Sequence, residues 1–110
     1  MPERSVKVYL EDIKQAILMI EQYTANFTMA DFINDRKTCD AVIRNLEIIG
    51  EAAKNLLRLD QNAYPEVPWQ EIIGLRNKVA HEYFGIDLDN IWKTVTDDLP
   101  LLKEQLAKEA

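Results

Sequence analysis

The 110-residue chain has few of the residues that cross-link a chain or break its helices. It contains one cysteine, Cys39, three glycines and four prolines. One cysteine cannot form an internal disulfide, and sparse glycine and proline leave long stretches open to helix formation. No apolar run approaches the roughly 20 residues of a membrane span, and residues 1–5 lack the features of a signal peptide. We therefore expect a cytoplasmic protein without a membrane segment.

Basic residues are also in short supply. Lys and Arg number 13 against 19 Asp and Glu, for a net charge of −6. Because non-specific affinity for nucleic acids comes largely from Lys and Arg, this balance argues against extensive non-specific binding of RNA or DNA. Any contact with RNA would have to be local. The length predicts a single domain over residues 1–110, with a small core that dimerisation would enlarge.

The sequence contains no recognisable set of metal ligands. It has a single histidine, His81, far along the chain from Cys39, so no pattern typical of zinc binding is present, and the carboxylates form no calcium loop. A glycine-rich phosphate loop and a serine or cysteine nucleophile motif are likewise missing. We expect neither a metal nor another cofactor.

Helical periodicity dominates the chain, and no run alternates apolar and polar residues as a strand would. Apolar residues recur at helical spacing over residues 5–24, in a second long helix that ends near residue 59, over 69–84, and from 88 to 106 through Pro100. Thr28 with Asp31 predicts a capped short turn, and Asp35 and Asp87 predict the caps of later helices. The fold class predicted is all-α, a four- to five-helix bundle.

The segment 75–84 contains the residues best suited to chemistry. His81 is the one side chain that titrates near neutrality, and Arg76 precedes it by five positions. On a helix, Arg76 and Tyr83 share the apolar face, while Asn77 and His81 stack on its flank. An arginine can bind the non-bridging oxygens of a phosphate, and a histidine can transfer the protons of the nucleophile or the leaving group. Together they are a minimal set for phosphoryl chemistry.

An arginine on an apolar face has three competing explanations. It forms a buried ion pair, for which Glu47 and Glu51 on the second long helix are the candidates, or it meets a ligand in a groove between subunits, or its long side chain reaches solvent at the helix edge. Taken singly, His81 is also typical of a hydrogen-bonded surface or interface histidine, and Tyr83 of a core residue with a satisfied hydroxyl.

The segment 76–83 resembles the Arg-x4-His-x-Tyr motif of HepT-like proteins, small members of the HEPN superfamily. Residues 41–53 resemble the second helix of that family and residues 69–87 its catalytic helix and turn, so the likeness covers nearly the whole chain. The resemblance implies a HEPN-like helical bundle that pairs as a symmetric homodimer, with the two motifs facing each other across a cleft. It also implies a metal-independent endoribonuclease toxin of a prokaryotic toxin–antitoxin system of type II or VII, neutralised by a minimal nucleotidyltransferase antitoxin that transfers AMP to the motif tyrosine.

Carried over residue by residue, the resemblance makes Arg76 and His81 catalytic, Asn77 a supporting phosphate-binding residue and Tyr83 the acceptor of AMP. RNA supplies its own nucleophile, the 2′-hydroxyl, so the protein need only position the strand, move protons and stabilise the phosphorane. An alternative of a different class is a non-catalytic helical dimer module that binds a nucleotide or a nucleotidyltransferase partner, with Arg76 and Asn77 holding phosphate. A purely structural bundle with a salt-bridged Arg76 is a third.

Overall fold

The computed structural model describes residues 5–75 and 87–107, and every regular element within them is helical. A π-helical turn, Thr94–Asp98, joins the helix Leu88–Lys93 to the helix Leu99–Ala107 without a break, so the described elements amount to five helices. This confirms the predicted all-α fold of four to five helices. The α-helices are α1 Val6–Tyr23, α2 Met29–Ile33, α3 Arg36–Leu59, α4 Trp69–Ile73, α5 Leu88–Lys93 and α6 Leu99–Ala107.

Helices α1 and α3 form the centre of the bundle. Helix α1 begins where the Ser5 hydroxyl accepts the Val8 N–H at 3.3 Å, and it buries Ile13 and Ile20 completely against α3. Helix α3 contributes the other half of this interface with four fully buried side chains from the predicted stripe. These are Val42, Leu46, Ile49 and Ala53.

The short α2 carries the capping arrangement that the sequence predicts. The Thr28 hydroxyl accepts the Asp31 N–H at 3.1 Å, and the Asp31 carboxylate accepts the Thr28 N–H at 2.9 Å. The Asp35 carboxylate then accepts the Thr38 N–H at 3.1 Å and starts α3, also as predicted. Between these caps Phe32 is fully buried, which ties the turn to the core.

The third predicted helix, residues 69–84, starts at Trp69 but does not continue unbroken. Helix α4 ends at Ile73, and Gly74 forms a turn after it. The Gly74 N–H donates to the Gln70 carbonyl at 3.0 Å. A Cβ at position 74 would lie 3.3 Å from that carbonyl oxygen, which is a tight contact that glycine avoids. Residues 76–86, which include the predicted end of this helix at residue 84, lie outside the described part of the chain.

The C-terminal helix runs through Pro100 as the sequence predicts, with a π-helical turn as the local adjustment. Asp87 caps α5 by accepting the Asn90 N–H at 3.4 Å, and the Leu99 N–H donates to the Thr94 carbonyl five residues back. Proline has no N–H and crowds the carbonyl four residues earlier, so a wider turn just before Pro100 relieves the conflict. Helix α6 then packs on α1, where Lys103 pairs with Glu21 at 3.1 Å.

None of the described helices combines the length and apolarity that a membrane crossing requires.

Candidate functional site

The connection between α3 and α4 is built to fix the start of α4. The Trp69 indole N–H donates to the Ala63 carbonyl at 2.7 Å, and this bond is buried. The Tyr64 ring packs edge-on against the Trp69 ring, with 6.5 Å between centroids, and the Val67 N–H donates to the Tyr64 carbonyl at 2.9 Å. The loop is therefore closed on itself by an aromatic side chain that also belongs to the core.

The residues on either side of the predicted motif are held in place by packing or hydrogen bonds. Ile72 and Leu75 are 8% and 7% exposed and belong to the core cluster, and Arg76 is the next residue in sequence. On the other side, the two Asp87 carboxylate oxygens accept from the main chain and the side chain of Asn90. The fold thus holds both ends of the segment that contains the motif.

The residues predicted to carry the chemistry lie in that segment. Arg76, Asn77, His81 and Tyr83 are all outside the described residues. Their predicted roles, and the predicted sharing of one helix face by Arg76 and Tyr83, remain predictions.

The two carboxylates proposed as partners of Arg76 are on α3. Glu47 and Glu51 are half-buried and one turn apart, and the Asn55 side-chain amide donates to the Glu51 carbonyl at 3.0 Å. At 100° per residue they lie on the side of α3 opposite the buried Val42 and Leu46. The predicted pairing with Arg76 remains open because that residue is not described.

The same outward face of α3 carries exposed cations, among them Arg44, Lys54 and Arg58. Residues seven apart differ by only about 20° on a helix, so Arg44, Glu51 and Arg58 form one row and Glu47 and Lys54 a second. The sequence pattern alone does not bring these cations together with α4. Their assembly depends on how α4 folds back on α3, and no local spacing records that packing.

Where α4 packs on the C-terminal part of α3, an open groove of about 550 Å³ contains two of these cations. It is lined by Lys54, Leu57, Arg58, Gln61, Gln70 and Ile73. We call it the α3/α4 groove. Within residues 5–75 and 87–107, no three His, Cys, Asp or Glu side chains come together in a way that would hold a metal ion.

Comparisons with known proteins place the chain in a family. Residues 13–109 match the family model "Ribonuclease HepT-like". The chain is 49% identical over 106 residues to the "Probable ribonuclease HepT" of Thermococcus cleftensis, covering 96% of each protein. It is 44% identical over 100 residues to a "Putative RNase" of Methanocaldococcus jannaschii, which covers 91% of this chain and 83% of that protein.

A third relative is longer. It is the "Gamma-glutamylcyclotransferase and putative RNase" of Methanocaldococcus jannaschii, 43% identical over 105 residues, and the match covers 96% of this chain but 47% of that protein. No solved structure matches the chain significantly. The family model covers most of the chain and the first relative matches nearly all of it, so the chain belongs to the ribonuclease HepT-like family.

Proposed function

We propose that the chain is a metal-independent endoribonuclease toxin, cytoplasmic and prokaryotic, with Arg76 and His81 as its catalytic residues. One observation carries the proposal. The chain belongs to the ribonuclease HepT-like family, and its single histidine, His81, lies in an Arg-x4-His-x-Tyr sequence. An imidazole at that position can move protons near neutral pH, and a guanidinium can hold the non-bridging oxygens of a phosphate.

The proposed reaction is transfer within the RNA strand. His81 removes the proton from the 2′-hydroxyl, whose oxygen attacks the adjacent phosphorus, and the bond from phosphorus to the 5′-oxygen breaks. The His81 of another subunit acts as the acid and protonates the departing 5′-oxygen. Arg76, with Asn77 in support, stabilises the charge that develops on the phosphate oxygens. The products are a 2′,3′-cyclic phosphate and a free 5′-hydroxyl.

The test of this assignment uses variants of the motif. We expect Arg76→Ala and His81→Ala each to lower the rate of RNA cleavage by at least about 100-fold, because general acid–base catalysis and charge stabilisation each contribute factors of that size. Circular dichroism should show unchanged helicity. Cleavage that persists in both variants would reject the assigned roles. Complete loss of the parent activity in excess EDTA would contradict the metal-independent mechanism.

The antitoxin side of the proposal depends on Tyr83. Transfer of AMP from ATP to the Tyr83 oxygen, with release of pyrophosphate, would add an anion less than two helical turns from Arg76 in sequence and block substrate phosphate by charge and volume. After coexpression with a nucleotidyltransferase partner, the parent should gain the mass of one or more adenylyl groups and lose cleavage.

Tyr83→Phe is the matched control because it keeps the ring and removes only the acceptor oxygen. It should remain active and unmodified beside the same partner. Equal neutralisation of this variant and the parent would show that control does not pass through Tyr83. A parent that binds the partner or a nucleotide but cleaves no RNA would instead support the non-catalytic helical module.

A further inference from the structure

The α3/α4 groove differs in charge from two other grooves formed by described residues. A groove between α4 and α6 contains Glu71 and Asp98 in its lining. A groove between α1 and α6 contains Lys14 and Lys103, but also Glu21, which pairs with Lys103. The α3/α4 groove is lined by Lys54 and Arg58 with no carboxylate. In a chain with a net charge of −6, this concentrates positive charge where it would attract a polyanion.

The two cations of the groove are held on a rigid element. Lys54 and Arg58 are exposed and one turn apart on α3, which separates their main chains by about 6 Å along the axis. The Arg58 guanidinium also donates to the Asn55 side-chain oxygen at 3.4 Å. A pair of cations spaced in this way can contact successive phosphates of one strand.

The rest of the lining suits the other parts of a nucleotide. Gln61 and Gln70 present amide groups that both donate and accept hydrogen bonds. Leu57 and Ile73 are half-buried and leave apolar surface against which a base can pack. The groove is wide and open, as a binding path for a flexible strand must be.

The groove adjoins the proposed catalytic motif along the chain. Ile73, which forms part of the lining, precedes Arg76 by three residues. Three fully extended residues span at most about 11 Å, so a strand in the groove lies near the start of the motif.

We propose that the α3/α4 groove binds the phosphate backbone of single-stranded RNA beside the scissile bond, with Lys54 and Arg58 as positioning residues. This inference rests on the proposed ribonuclease function. An acidic chain can bind RNA in this way because the contact is local and confined to one groove.

The test measures binding and cleavage separately. Binding of an unstructured, mixed-sequence oligoribonucleotide is measured by fluorescence anisotropy in the His81→Ala background, with and without Lys54→Ala/Arg58→Ala, over a range of salt concentrations. We expect the double substitution to weaken binding about tenfold or more. We also expect it to reduce the slope of log affinity against log salt by about 1.4, since each phosphate contact to a single strand contributes roughly 0.7.

The matched control is Lys14→Ala/Lys37→Ala, which removes two exposed cations from α1 and α3 outside the groove. It should change the salt slope far less. In the active background the groove variant should raise KM for RNA and leave kcat near that of the parent. Lys54→Arg/Arg58→Lys, which keeps both charges, should restore binding.

The outcomes separate the groove from the proposed function. If the parent cleaves RNA and the groove and control variants have equal affinities and salt slopes, the groove assignment is wrong and the ribonuclease function stands. If the parent cleaves no RNA, or His81→Ala cleaves as fast as the parent, the proposed function fails and the groove inference falls with it.

Discussion

At the residue scale, Cys39 shows how burial changes the acidity of a thiol. Its side chain is 1% exposed, and its thiol donates to the Phe32 carbonyl at 3.0 Å. Burial raises the pKa of the Cys39 thiol, and the carboxylates of Asp40 and Asp35 raise it further. The native state therefore keeps this proton to a higher pH than the unfolded chain does.

This shift in pKa predicts a loss of stability in alkali. The contribution of Cys39 to stability is fully present below the unfolded thiol pKa of about 8.5, and it is lost as the pH rises through the higher folded pKa. Between about pH 8 and 10, the free energy of unfolding should fall more steeply for the parent than for Cys39→Ala. Urea unfolding at a series of pH values measures both slopes, and equal slopes would contradict the prediction.

At the element scale, the capping box of α2 gives a prediction for stability. Thr28→Ala removes the hydroxyl that accepts the Asp31 N–H, and loss of such a cap typically costs about 1 kcal/mol. Because Phe32 depends on the same turn for its place in the core, the loss should appear in global unfolding by urea. Thr28→Ser keeps the hydroxyl and should stay within a few tenths of a kcal/mol of the parent. A Thr28→Ala protein as stable as the parent would show that the turn does not need its cap.

Features that depend on neighbours in sequence were predictable. The caps at Thr28, Asp35 and Asp87 involve partners three residues away, and the buried stripes of α1 and α3 follow from helical spacing. The break at Gly74 and the π-helical turn before Pro100 were not predictable. Neither interrupts the apolar spacing in the sequence, which stays readable as one helix in each case.

At the scale of the whole molecule, the contacts that sequence reasoning missed join distant parts of the chain. Lys103 meets Glu21 across 82 positions, and the Gln105 amide donates to the Glu66 carbonyl at 3.1 Å. The α3/α4 groove has the same origin, because Lys54 and Gln70 line it only once the loop closed by Trp69 returns the chain onto α3. Local sequence patterns identify such residues but do not show that they lie close together in the fold. The family was the opposite case, since the motif at residues 76–83, together with residues 41–53 and 69–87, resembles it in sequence, and the family is confirmed.

In the proposed symmetric homodimer, each subunit would supply one His81 to a shared cleft. Light scattering should give twice the chain mass of 12.8 kDa. Equimolar mixing of the parent with an inactive Arg76→Ala/His81→Ala chain, followed by subunit exchange, leaves about a quarter of the dimers with two intact motifs. If cleavage needs one imidazole as base and the other as acid, activity per dimer should fall to about a quarter of that of the parent. A fall to about half would mean that each motif works alone, and a monomer with full activity would exclude the shared cleft.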